Sequence, residues 1–93
     1  MQLELLGSLA EAAELGLAMV ERGLVGAAGD AATAVYLATG AARSARWAVW
    51  SNLHGLLDGT ATHARSVADG LLERAEEAER GVGRVLEARL RPS

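Results

Sequence analysis

His54 and His63, with Asp58 between them, are the first residues in this chain to weigh as a chemical site. Two imidazoles grip one metal from a helix when they stand four residues apart, on one face. These two are nine apart, and no further carboxylate or thiolate completes a set, since the chain has no Cys. A structural or solvated role suits them better. The adjacent acids Glu76 and Glu77 stand among Arg74, Arg80 and Arg84. An acid–base pair needs burial to move its proton affinity, and that surroundings pattern reads as a wet helix face. No Gly-x-Ser-x-Gly elbow occurs, and no glycine-rich phosphate loop with its Lys, because Lys is absent altogether. The expectation is a protein without catalytic, cofactor or metal residues, and not an enzyme.

Arg43, Arg46, Trp47, Trp50 and His54 form a more distinctive group. On a helix their spacing puts them on one side, and both tryptophans of the protein are among them. No acid occurs between Ala31 and Leu57, so residues 31–57 carry +2 while residues 1–30 carry −4 and residues 58–93 carry −1. Two readings stand side by side. The tryptophans plug the wide end of an alanine-lined bundle, with Arg stacked on an exposed ring. Alternatively they make a partner-binding hot spot or an anchor at a membrane interface, where Trp and Arg are both favoured. The acidic first segment is expected to meet the basic middle, in the same chain or in a neighbour.

Helices must position these groups. Ala (20 residues) and Leu (15), with 11 Gly, make about half of the chain, whereas β-branched residues are few. Small and apolar residues recur at Leu3, Leu6, Ala10, Ala13, Leu17, Val20 and Leu24, in alternating steps of three and four. That is the seam of a helix that meets another helix. The same phase continues through Ala27, Ala31, Ala34, Ala38, Ala41, Ala45 and Ala48, a line that lets backbones approach closely. Gly23, Gly26 and Gly29 interrupt it, each costing up to about 1 kcal/mol in a helix interior. A helix end at Gly29, with Asp30 capping the next helix, explains them; a groove seating a neighbour does so as well.

Turn-forming residues concentrate at Ser51–Gly55 and Asp58–Thr60. A last helix follows, with a stripe at Ala64, Val67, Leu71, Ala75, Ala78, Val82 and Val85, passing to Leu86 and Leu90. Its outer face sets Glu76, Arg80 and Arg84 at four-residue steps, and Glu87 before Arg91, each pair adding about 0.2–0.5 kcal/mol; Pro92 ends it. The expected fold is one all-α domain over residues 1–93. It is an antiparallel helical hairpin or a three-helix bundle of Ala/Leu-rich amphipathic helices (2–28, 31–53 and 59–91), packed in an oligomer.

A chain of 93 residues buries only about 60–65% of its unfolded surface, and such scaffolds usually add a disulfide, a metal or a partner subunit. Without Cys, a partner is the expected supplement. The net charge of −3 argues against coating a nucleic acid, which needs a basic face. Glu4 interrupts the first apolar run, so no signal-peptide pattern emerges, and no window of about 18 apolar residues predicts a membrane span. A cytoplasmic protein is expected, with contact to a membrane surface left open.

Length, the absence of Cys and a central Trp are similar to the small secreted hairpins of type VII secretion. That family carries a Trp-x-Gly turn and a Tyr followed by an acid in its last helix. Here Trp50-Ser51-Asn52 stands in place of the turn, and the only Tyr is Tyr36. In composition the alanine-rich helices also resemble phasins, which coat polyester granules. The leading expectation is a structural or interaction protein that self-associates through its helix seams into a bundle, shell or filament. The residues assigned to it are Leu3, Leu6, Leu17, Val20, Leu24, Val67, Leu71, Val82 and Val85, with Arg43, Arg46, Trp47 and Trp50. Two alternatives stand beside it: an amphipathic coat on a lipid or other hydrophobic surface, and a secreted hairpin with a helical protein partner.

Overall fold

Arg89, near the end of the chain, reaches back to the end of the first helix. Its guanidinium donates to the carbonyls of Val20 (2.5 Å), Gly23 (3.3 Å) and Glu21, at the end of a helix where carbonyls run out of intrahelical partners. The structure, a computed structural model, describes residues 2–23 and 25–92, with Val25 described by its backbone alone. Those residues form α1 (Gln2–Arg22), α2 (Val25–Asn52) and α3 (Gly59–Leu90). Each helix packs against the other two. The fold is all-α.

α2 runs unbroken through Gly26, Gly29 and Asp30, so the boundary expected at Gly29–Asp30 lies earlier, next to Gly23. The glycine penalty is up to about 1 kcal/mol per residue. A helix of 28 residues that lies along both neighbours recovers more than that through packing. Thr33 also bonds the Gly29 carbonyl through its hydroxyl, at 3.0 Å. At the other turn, Leu53 and His54 close the end of α2 with backbone bonds to Val49 and Ser51. Gly55 then reverses the chain at φ +81°, a region that L side chains rarely adopt. Asp58 caps α3 by accepting from the Ala61 N–H at 2.8 Å.

The core is narrow and built largely of alanine. Leu6, Val20, Val35 and Val82 supply its bulk, and Ala13, Ala42, Ala68 and Ala75 let the helices close on them. Thr39 is the buried polar side chain: its hydroxyl lies 2.9 Å from the Val35 carbonyl and 3.3 Å from that of Ala75. α1 follows its expected seam. On α2 the buried line is Ala28, Ala32, Val35, Thr39, Ala42 and Val49, displaced from the expected row of seven alanines. Of that row, Ala45 is buried, while Ala27, Ala34 and Ala41 are exposed. Most α2 positions are small, so the bulk of Val35 and Val49 helps to set the rotation.

The molecule is a rod of 54 × 21 × 15 Å. Its radius of gyration of 15.4 Å exceeds the roughly 12 Å of a compact chain of this length.

Candidate interaction surface

The ion pairs gather along α3 and the edges it shares. Arg43 of α2 donates to Glu76 and Glu79 at 3.1 Å each. Arg74 of α3 makes a two-pronged pair with Glu14 of α1, at 3.0 and 2.6 Å. Arg80 binds Glu73 and Glu77, not the expected Glu76, and Arg84 also binds Glu77; Arg91 pairs with Glu87 as its spacing suggests. The basic middle of the chain therefore meets acids of α3, whereas the acidic first helix pairs with an α3 arginine.

These pairs give the fold a shallow pH dependence. The Arg74 bond holds the Glu14 carboxyl below its ordinary proton affinity, outweighing its slight desolvation, and bonds from Arg80 and Arg84 do the same for Glu77. A carboxylate depressed in the folded state stabilises above the ordinary carboxylate range and loses that contribution as pH falls through it. Both groups are solvated, so the contribution is small. Thermal melts should be flat from pH 7 down to that range and then fall. Arg74→Gln should remove the Glu14 part of the fall and leave the rest.

The Arg/Trp group sits on the α2–α3 side, at the end bearing the 53–58 turn. Asp69 ties it together, accepting from Arg46 Nη1 (3.2 Å) and from Trp50 Nε1 (3.1 Å). The Arg46 guanidinium lies 4.0 Å from the centre of the Trp47 ring, and Trp47 meets Trp50 edge-on at 6.2 Å. Arg46 Nε is buried without a partner among the described residues. Arg65 closes the turn on the Leu53 (3.0 Å) and Leu56 carbonyls. Both rings keep an exposed edge, so the group serves the α2–α3 junction and still presents aromatic surface. His54 and His63 are exposed, and among the described residues no three metal-ligating side chains converge.

The seam residues point inward. Leu6, Val20 and Val82 are buried, and Leu3, Leu17, Leu71 and Val85 pack on the same core, with Val67 half-buried. Leu24 lies outside the described residues. Other apolar side chains remain exposed.

Several of those side chains lie on the face that α1 and α2 turn away from α3. α1 presents Leu5, Ala12 and Met19 there, one heptad apart, and α2 presents Ala27, Ala34, Ala41 and Ala48 at the same spacing. Leu15, Met19 and Leu37 are 66%, 60% and 70% exposed. Between the helices runs a shallow groove of about 460 Å³, lined by Gln2, Leu5, Leu9, Ala41, Ser44 and Ala48. α2 carries only Asp30, Arg43 and Arg46 as charges, and both arginines lean to α3, leaving Asp30 alone on this face. The signal for Leu5, Ala12 and Met19 was present as a second heptad line, masked by the richer seam beside it. No signal marks Asp69, Arg65 or Arg89, whose partners are distant in sequence.

No known protein family, curated protein or solved structure matches this chain. No described helix is long and apolar enough to cross a membrane.

Proposed function

We propose that this chain is a structural or interaction protein that works as an assembly of its own copies, joined through the outer face of α1 and α2. One observation carries the reading: large apolar side chains stand exposed on a face whose α2 half holds a single charge, while both arginines of α2 turn to α3. Monomeric soluble proteins rarely leave such a contiguous patch to water. The alanine core supplies little area per residue, so covering this face would add stability that the lone rod lacks.

Sedimentation at micromolar concentration should give a species larger than a monomer. A folded, stable monomer overturns the proposal. Ala34→Glu with Leu37→Glu should lower the mass to that of one chain while circular dichroism stays helical, because both positions are exposed in the lone rod.

A second reading rests on Leu57, 88% exposed beside Leu56 at the turn between α2 and α3. That end would suit an amphipathic coat resting on lipid. Flotation with neutral and anionic liposomes tests it, and failure to float with either removes it.

A further inference from the structure

We propose that two copies meet face to face with their α2 helices antiparallel, about a two-fold axis that crosses α2 between Ala34 and Ala41. This rests on the self-association reading and specifies its geometry.

The face is built symmetrically about one level of the rod. On α2, Ala34 and Ala41 lie equally far from that level on either side, and so do Ala27 and Ala48. On α1, Leu5, Leu9 and Gln2 lie beside Ala41, Ser44 and Ala48, while Gly16 lies against Ala31 and Val35. Ala12 therefore falls at the level of the proposed axis, with Leu5 one heptad to one side and Met19 one heptad to the other. An axis across the rod at this level sets Ala34 of one copy on Ala41 of the other, and Leu5 on Met19. A two-fold interface is the same patch used twice, so it needs this self-complementarity.

Charge and area agree with the arrangement. Asp30, the one charge on the α2 half of the face, would come to the level of Ser44 and Ala48 of the other copy, whose Arg46 turns to Asp69 of α3 and so meets no like charge there. Glu4 and Arg22 lie on one side of α1, five turns apart, and the axis brings Glu4 of each copy within two residues, about 3 Å along the rod, of the level of Arg22 of the other. An alanine line removes side-chain bulk where the two α2 helices cross, which permits the shorter end of the usual 8–10 Å helix separation. The 21 residues of α1 give a face about 32 Å long. Across the 21 Å breadth of the rod that is on the order of 700 Å², near the roughly 800 Å² per partner of a standard interface.

The absence of Cys makes the test direct, since an introduced thiol is the only one. Ala27→Cys, Ala34→Cys, Ala41→Cys and Ala48→Cys are made singly in the full chain and oxidised alone and in pairs, with sedimentation of each unoxidised protein alongside. Disulfides close only when the Cα atoms are within about 7 Å. The proposal expects the mixtures A34C with A41C, and A27C with A48C, to cross-link at least about tenfold faster than A27C or A48C alone. Self-linking of A27C and of A48C, or a dimer in which no mixture links, overturns the geometry and leaves self-association standing. A monomer throughout overturns both.

Discussion

Replacing Leu6 by alanine should lower the unfolding free energy by about 2–5 kcal/mol, the range for a buried leucine whose cavity refills only in part. Leu6 is 0% exposed and is the largest fully buried side chain, in a core otherwise made mainly of Ala and Val. Alanine neighbours have no long side chain to swing into the space. Small domains have roughly 5–15 kcal/mol in total, so the variant should melt far below the parent or fail to fold. Leu15→Ala, on the same helix and mostly exposed, is the control and should change the monomer's stability by no more than about 0.5 kcal/mol. Urea titrations followed by helical circular dichroism, at concentrations where any association is constant, compare the two. Equal losses would mean that α1 is rotated from the position described.

Gly16→Ala should be destabilising, by about 1–3 kcal/mol, although the same change in an open helix position is favourable by up to about 1 kcal/mol. A Cβ at Gly16 would stand 2.5 Å from Val35 Cγ2 and 3.7 Å from the Ala31 carbonyl, both of α2. Val35 cannot turn aside, because a β-branched side chain in a helix has essentially one rotamer. The clash exceeds the propensity gain and sets the sign. Gly70→Ala, with nothing near its added methyl, should stabilise by about 0.5–1 kcal/mol. Truncating the opposing side chain supplies the second check: Gly16→Ala with Val35→Ala should lose less than the two single changes summed. Additive losses would show that the two residues do not touch.

Much of the fold was legible from the residues. The stripe from Leu3 to Val20, the turn around Gly55 and the capping Asp58 are local patterns, fixed by helical periodicity and by backbone groups a few residues away. The break between α1 and α2 was not. It is braced by Arg89, more than sixty residues on, whose guanidinium reaches the carbonyls of Val20 and Gly23. α2 shows the same division. Where most positions are Ala, Gly, Ser or Thr, hydrophobic pattern barely distinguishes one face from another, and the burial of Val35 and Val49, the packing against Gly16 and the reach of Arg43 and Arg46 to α3 set its rotation.

The amino-acid order by itself determined that this protein is helical, where its strongest stripes run, and that it has too little bulk for a thick core. Tertiary structure decided which stripes the chain spends on itself. The reason is geometric: three helices in a triangle each cover one side, so the seams close inward and the second heptad line, Leu5, Ala12 and Met19 beside the row of alanines, is left facing water.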